Sequence, residues 1–254
     1  MEVIYGVHPV AECLKAGRRK VHRIWASDKD RLAELKQEIG RALTVPAELA
    51  PKDLCARKSG TPYHQGLVAE VGDYPYADWE DLLDPSPVPL LVALDNLTDP
   101  QNVGAILRSA LCAGATGVTL RKHHAAQITP AVVKASAGAS ERLRVALVSN
   151  HSMFLEKAGD AGLTRVALSM DGEPLWDADL DWTAPLVVVV GAEGKGLSRL
   201  VAEHCDRAVR IPMRGGFDSL NASVAASLAL FEAARHRKVD ANHRGTEAER
   251  EERD

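Results

Sequence analysis

Two turns in the C-terminal half of the chain combine glycine with side chains that could take part in chemistry. The first, GAEGKG at residues 191–196, follows the apolar run 186–190 and carries one carboxylate, Glu193. Glycine lets the backbone approach a ligand or another segment closely, because it lacks a Cβ atom. We therefore expect Glu193 to lie in a turn that meets a bound molecule or a neighbouring loop.

The second turn, GGFDSLNAS, begins at Gly215 and Gly216 and leads into an alanine-rich helix. Ser219, Asn221 and Ser223 occupy alternate positions at the start of that helix, where any one of them could cap free backbone N–H groups. Capping needs a single side chain, so the others are available to face a ligand, although Ser and Asn also gather at helix starts for local reasons.

Neither turn matches a known nucleotide-binding fingerprint. A phosphate-binding P-loop requires Ser or Thr after Gly-Lys, whereas Gly196 follows that pair here. A dinucleotide-binding loop requires a third glycine at the position of Arg199. These mismatches weigh against a nucleotide-dependent oxidoreductase, which is one alternative that an α/β sheet suggests.

Residues 89–238 alternate between apolar runs and helical periods, which is typical of a parallel sheet covered on both faces by helices. The predicted strands span residues 90–94, 116–120, 143–148, 164–169, 186–190 and 208–211. The predicted helices span residues 102–113, 129–138, 151–161, 197–204 and 219–237. Ligands of such sheets bind at the carboxyl ends of the strands, where both glycine turns lie.

The first helix of this domain carries two further polar candidates. In LDNLTDPQNVGAILRSALCAG, Asn102 is expected at the helix cap, and Arg108 lies off the buried stripe among small residues. Six residues at about 100° each place the two on different faces of a regular helix, so both can serve one site only if Asn102 acts from the loop. A long cation among small residues favours contact with a phosphate or with another subunit.

Residues 1–72 are predicted to form a small α/β domain, and the proline- and acid-rich residues 73–88 a linker. Its predicted helices lie at 5–14, 31–39 and 51–57, and its strands at 21–26, 43–45 and 67–71. His64 and Gln65, in the turn after Tyr63, could read an RNA base by stacking and edge hydrogen bonds. The candidate phosphate contacts are the basic cluster Arg18, Arg19, Lys20 and Arg23.

Composition bounds the remaining possibilities. The chain has 254 residues, is 46% apolar and carries a net charge of −4, so it can bury a large core without a uniformly basic surface. Four scattered cysteines and nine histidines show no metal-binding spacing, which predicts neither a metal site nor a disulfide framework. Without a signal peptide or a long apolar run, we expect a cytoplasmic protein with no membrane partner. The charged residues 239–254 predict a disordered tail.

Three ordered stretches resemble a known enzyme family. DPQNVGAILRSA, VVVVGAEGKGLS and IPMRGGFDSLNASVAASLALFEA are similar to the motifs of the SpoU/TrmH branch of the SPOUT RNA 2′-O-ribose methyltransferases. This likeness covers about residues 88–238. The stretches IYGVHPVAECL and PYHQG resemble the ribosomal-protein-like RNA-binding domain of RlmB-type members, which modify a guanosine in large-subunit ribosomal RNA.

The resemblance implies a parallel sheet whose C-terminal segment forms a trefoil knot, and a homodimer packed through the knot region. It implies that S-adenosylmethionine binds in the knot loops, held by backbone groups of Gly191, Ile211 and Leu220. Functional roles are implied for the residues that match polar positions of the motifs, namely Asn102, Arg108, Glu193, Ser219 and Asn221.

The implied reaction is attack of a ribose 2′-hydroxyl on the sulfonium methyl, and positioning supplies most of its rate. Asn102 and Asn221 would orient the ribose and the loops, and Glu193 would fix the turn. The family's usual candidate for the general base matches Arg108, but an arginine with a pKa above about 12 seldom releases its proton. Arg108 is better suited to hold a neighbouring phosphate, which leaves proton removal to that phosphate, to a Ser219-linked group or to water. Transfer RNA as the substrate, and an RNA-binding protein without activity, are the alternatives.

Overall fold

A computed structural model describes residues 1–85, 87–194, 196–214 and 219–237. The predicted glycine turn at Gly215 and Gly216 and the predicted disordered tail at 239–254 lie outside these residues. In the N-terminal part, a four-stranded sheet has the order β1-β4-β2-β3. Its elements are β1 (Glu2–Tyr5), α1 (Val7–Ala16), β2 (Val21–Ala26), α2 (Lys29–Ile39), β3 (Ala47–Leu49), α3 (Lys52–Ser59) and β4 (Leu67–Val71).

The C-terminal part is built on a six-stranded sheet with the order β10-β8-β9-β5-β6-β7. Every pair of neighbouring strands is parallel, which confirms the predicted α/β class. The order is consistent with a knot, which stays a prediction. The elements are β5 (Leu90–Leu94), α4 (Pro100–Cys112), β6 (Gly117–Arg121), α5 (Pro130–Ala135), α6 (Ala139–Arg142), β7 (Val145–Val148), α7 (His151–Asp160), β8 (Thr164–Pro174), β9 (Leu186–Val190), α8 (Arg199–Glu203), β10 (Arg207–Arg210) and α9 (Ala222–His236).

The central strands read as continuous apolar runs because helices cover both of their faces. All five residues of β5 and all five of β9 are buried. The two strands pair in register, from Leu90 opposite Leu186 to Leu94 opposite Val190. Both therefore end at the same edge of the sheet, and the segments that follow them begin side by side.

Three predicted elements differ from the structure. The strand β1 was not predicted; its residues pair with β4, and it overlaps the helix predicted at 5–14, found at Val7–Ala16, only at Tyr5. The strand predicted at 43–45 lies instead at Ala47–Leu49, where it pairs with β2. The helix predicted over 129–138 is divided into α5 and α6, since Ala137 and Gly138 adopt positive φ angles of 51° and 85°.

The linker predicted at 73–88 packs against the second sheet. The Ala77 N–H donates to the Val145 carbonyl at 2.9 Å, beside the edge strand β7. A 3₁₀ turn follows at Glu80–Leu83, and its Leu82 side chain is buried. Among the described residues, no helix is long and apolar enough to cross a membrane.

The basic cluster predicted to contact phosphate is largely structural, which corrects that prediction for two of its members. The Arg19 guanidinium is buried between the domains and donates to both carboxylate oxygens of Glu141, at 3.0 and 2.6 Å. Arg18 donates to the carbonyls of Leu143 and Pro75. Lys20 and Arg23 are exposed, so their phosphate contact stays a prediction.

Candidate active site

A cavity of about 870 Å³ opens at the carboxyl edge of the second sheet, between residues 167–171 of β8, the turn that follows β9, and β10 with the segment after it. Its volume falls in the range of ligand pockets. Residues predicted to hold the cofactor and one predicted catalytic serine are among those that line it, namely Gly191, Ile211, Leu220 and Ser219. Their contact with a ligand stays a prediction.

The wall formed by residues 191–196 requires glycine at its first position. A Cβ atom on Gly191 would lie 2.3 Å from the backbone carbon of Gly196, which no side chain can tolerate. The turn closes on itself because the Gly196 N–H donates to the Ala192 carbonyl at 2.8 Å. Gly194 and Gly196 adopt positive φ angles of 73° and 64°. The sequence thus predicts correctly that the Gly191 backbone approaches another group closely. In the structure that group is Gly196, in the same turn.

Glu193 at the tip of this turn joins three segments that are distant in sequence. Its Oε1 atom accepts hydrogen bonds from Asn102 Nδ2 at 3.0 Å, from Asn221 Nδ2, and from the backbone N–H of Ala222 at 3.1 Å. Asn221 Nδ2 also donates to Asn102 Oδ1 at 2.9 Å. These three side chains, Asn102, Glu193 and Asn221, form what we call the polar triangle, at the rim of the cavity.

Asn221 serves two purposes because its two polar atoms point in different directions. Its Oδ1 caps α9 by accepting from the N–H groups of Ser223 and Val224, at 2.9 and 3.4 Å. Its Nδ2 is therefore turned away from the helix and toward Glu193. One side chain thus fixes the start of α9 and completes the polar triangle, so capping and a functional role are not alternatives.

Asn102 does not cap its helix, contrary to the sequence-based prediction. Asp99 is the N-cap of α4, and its carboxylate accepts from the N–H groups of Gln101 and Asn102 at 3.0 and 3.3 Å. Asn102 lies in the first helical turn, and its side chain reaches Glu193 from there. A site at the start of α4 therefore does not require Asn102 to act from the loop.

Arg108 lies on the same helix but is not brought into the polar triangle. It is exposed, and no hydrogen bond or ion pair of its guanidinium is found among the described residues. The following residue, Ser109, has its Oγ 2.7 Å from Ser227 Oγ of α9. Arg108 thus emerges close to α9, where its charge is available to a partner outside this chain.

A buried acid that the sequence analysis overlooked lies beneath the cavity. Asp95 directly follows β5, is fully buried, and accepts from the Ser198 N–H through Oδ2 at 3.0 Å. Burial by itself would raise its pKa, but the neighbouring His151 and the hydrogen bond from the Ser198 N–H outweigh burial, and the pKa lies below its usual value. An acid at the carboxyl end of a buried strand was the available signal.

The predicted base-reading residues of the N-terminal domain are engaged within the protein. His64 is only 5% exposed, and its Nδ1 accepts from the Gly66 N–H at 3.0 Å. Burial lowers the pKa of His64. Gln65 is exposed, with a positive φ of 57°, and its Oε1 accepts from Lys134 on α5. His64 therefore stabilises the turn, which corrects its prediction as a residue with a free edge.

Comparison with protein families matches both halves of the chain. Residues 89–231 match the SpoU rRNA methylase family, and residues 3–77 match the RNA 2′-O ribose methyltransferase substrate-binding domain. An uncharacterised tRNA/rRNA methyltransferase of Mycobacterium avium is 42% identical over 242 residues, covering 93% of this chain and 78% of that protein. A protein of the same description from Mycolicibacterium gilvum is 43% identical over 247 residues, covering 94% and 77%.

Solved structures of the same family superimpose on both domains. The SpoU methyltransferase AviRb from Streptomyces viridochromogenes, in complex with S-adenosylmethionine, gives a TM-score of 0.76 at 29% identity, covering 93% of this chain and 90% of that one. An S-adenosylmethionine-bound rRNA methyltransferase from Sinorhizobium meliloti gives 0.75 at 26% identity, covering 92% and 87%. The chain therefore belongs to the SpoU methylase family and is an S-adenosylmethionine-dependent RNA methyltransferase.

Proposed function

We propose that this enzyme methylates the ribose 2′-hydroxyl of a guanosine in large-subunit ribosomal RNA, as RlmB-type enzymes do, with S-adenosylmethionine bound in the 870 Å³ cavity. The observation that carries the proposal is the polar triangle, which joins residues of all three motifs at the cavity rim. The substrate-binding domain at residues 3–77 supports an RNA ribose as the acceptor.

The cavity suits the cofactor in size and in chemistry. Ile211 and Leu220 offer apolar surface for a purine, and the missing Cβ of Gly191 exposes backbone to polar groups. The Glu193 carboxylate at the rim provides negative charge for a cationic ligand. When bound, S-adenosylmethionine supplies a methyl group activated by its sulfonium.

The residues of the polar triangle would contribute by alignment. Glu193 accepts three hydrogen bonds from α4 and from the start of α9, so it fixes the position of both relative to the cavity. A transfer between two bound reactants depends chiefly on holding them in line. We infer that Asn102 and Asn221 keep the acceptor ribose in that orientation, and that Ser219 contacts it from the cavity wall.

Arg108 would bind the RNA backbone. Its guanidinium is exposed and unpaired within the described residues, remains charged at neutral pH, and can hold a phosphate through two parallel hydrogen bonds. The 2′-hydroxyl proton would then pass to that phosphate, to a Ser219-linked group or to water. A pH–rate profile of Arg108→Lys tests this role, because lysine keeps the charge but loses the two parallel hydrogen bonds. Full activity with an unchanged profile would count against both bidentate phosphate binding and general-base catalysis by Arg108.

A homodimer would cover an apolar stripe on α9. Val224, Leu228 and Phe231 are 46%, 37% and 50% exposed at helical spacing on one face. An unpartnered stripe of this kind marks an interaction surface, and its place beside the cavity suits pairing through the knot region. Light scattering should show a dimer for the wild type and a monomer for Phe231→Asp. A monomeric wild type would refute the dimer.

The decisive experiment is nucleoside mass spectrometry of unmodified ribosomal RNA and transfer RNA, each incubated with the enzyme and S-adenosylmethionine. We expect new 2′-O-methylguanosine in large-subunit RNA alone. Methylation of transfer RNA instead would establish the tRNA alternative. Cofactor binding without methylation of either RNA would favour a non-catalytic RNA-binding role.

A further inference from the structure

Asp95 holds both ends of the turn that lines the cavity. Its backbone N–H donates to the carbonyl of Val190, the residue before the turn, at 2.8 Å. Its carboxylate Oδ2 accepts from the N–H of Ser198, the residue after the turn, at 3.0 Å. The two residues that flank the turn, Val190 and Ser198, are therefore both bonded to Asp95, while Glu193 ties the turn to α4 and α9.

The carboxylate of Asp95 is itself held in place from its other side. Its Oδ1 lies 3.5 Å from His151 Nδ1 and 4.0 Å from Arg121 Nη1. The His151 ring is 1% exposed, and its Nε2 lies 3.2 Å from Thr119 Oγ1. Arg121 also donates to Asn96 Oδ1 at 2.7 Å. Side chains of β6 and α7 thus face Oδ1, while Oδ2 is directed at the turn.

We propose that Asp95 is a positioning residue for cofactor binding, which holds the described residues of the turn, 191–194, 196 and 197, and that His151 holds Asp95 in the required orientation. The proposal rests on the cavity being the S-adenosylmethionine site. The carboxylate is suited to this role because Oδ2 accepts from the Ser198 N–H, while Oδ1 faces His151 Nδ1 and the Arg121 guanidinium at 3.5 and 4.0 Å. An asparagine has a single side-chain oxygen. If that oxygen faces Ser198, its N–H₂ group lies beside the Arg121 cation, and if it faces Arg121, the hydrogen bond from Ser198 is lost.

The test is the dissociation constant of S-adenosylmethionine, measured by calorimetry for the wild type, Asp95→Asn and Ser198→Pro. Ser198→Pro removes the N–H donor while leaving Asp95 intact, and the φ of −63° at Ser198 already suits a proline. We expect each variant to bind the cofactor at least about tenfold more weakly, in line with loss of a hydrogen bond to a charged group. At saturating cofactor, kcat should recover to within about threefold, since the reacting groups themselves are unchanged.

Glu141→Gln is the matched control, because Glu141 is also a buried carboxylate but lies at the domain interface, bound to Arg19. It should lower the melting temperature without changing the cofactor dissociation constant, which separates loss of stability from loss of positioning. No measurable binding by the wild type would refute the cavity as the cofactor site. Wild-type affinity in a folded Asp95→Asn or Ser198→Pro variant would overturn the positioning role alone. If Asp95→Asn does not fold, Ser198→Pro decides the question.

Discussion

Substitution of Arg19 by methionine should destabilise the protein without weakening a direct RNA contact. The Arg19 and Glu141 side chains are 2% and 1% exposed, and two hydrogen bonds join them. Methionine retains much of the aliphatic stem but leaves Glu141 as a buried carboxylate without its cation. Breaking one side of a buried ion pair costs about 3–5 kcal/mol. The second partner, Glu2, is about one-third exposed and can be solvated again.

That loss corresponds to a fall in melting temperature of about 10 °C, at about 2–4 °C per kcal/mol for a chain of this size. Calorimetry of Arg19→Met, Glu141→Leu and the double variant would measure it. The double variant should be more stable than either single variant, since it leaves no unpaired charge in the interface. Lys20→Met is the control, because it removes an adjacent exposed charge and should change stability by less than about 0.5 kcal/mol.

RNA binding distinguishes this structural role from the phosphate contact that the sequence suggested. Loss of one phosphate contact lowers the slope of log affinity against log salt by about 0.7–0.9. We expect the slope for folded Arg19→Met to equal that of the wild type. A melting temperature within about 2 °C of the wild type, together with a reduced salt slope, would refute our interpretation of Arg19.

Further predictions concern the site, the cysteines and acid stability. Glu193→Gln should lower kcat/KM at least about tenfold, because the three donors lose a charged acceptor; steady-state kinetics within twofold of the wild type would contradict this. Iodoacetamide at about pH 8 should label exposed Cys112 and spare Cys205, since burial raises the pKa of Cys205 to about 12, as peptide mass spectrometry would show. Hydrogen bonding to Arg165 lowers the pKa of Asp206. The ionised Asp206 carboxylate therefore stabilises the fold above the usual carboxyl pKa, and this stabilisation is lost as pH falls through the lowered pKa. The melting temperatures of Asp206→Asn and the wild type should converge between about pH 5 and pH 2.

The parallel sheet and its helices could be predicted because burial on both faces leaves a local signal. Runs such as Leu186–Val190 are apolar throughout, and this one is bounded by Pro185 and Gly191. The secondary-structure predictions are wrong where contacts between distant segments, and not the local residue pattern, determine the structure. Glu2–Tyr5 is short and becomes a strand only through β4. The helix predicted at 129–138 is interrupted at the positive φ angles of Ala137 and Gly138, and a Cβ atom on Gly138 would meet Glu12 of α1.

The sequence could predict which residues belong to the site, but not the hydrogen bonds that join them. Glycine spacing indicated the turn around Glu193, and the excess of polar residues before α9 indicated Asn221. Nothing local shows that Asn102 and Asn221 donate to the same carboxylate, since the two lie 119 residues apart in sequence. Asp95 was overlooked for the same reason, because its role depends on Val190 and Ser198 meeting it across the sheet.

The sequence by itself determined the fold class, the enzyme family and the residues that carry its motifs, because periodicity, glycine positions and motif order are local properties of the chain. The tertiary structure alone decided which charges are free to act. Arg19 belongs to a basic run in the sequence, yet in the structure it forms an ion pair with Glu141, which lies 122 positions away along the chain. The sequence already singled out Arg108 as a cation among small residues, and the structure adds that its charge is unpaired among the described residues. Whether a cation is available depends on burial and on partners brought from distant segments, and only the folded chain supplies both.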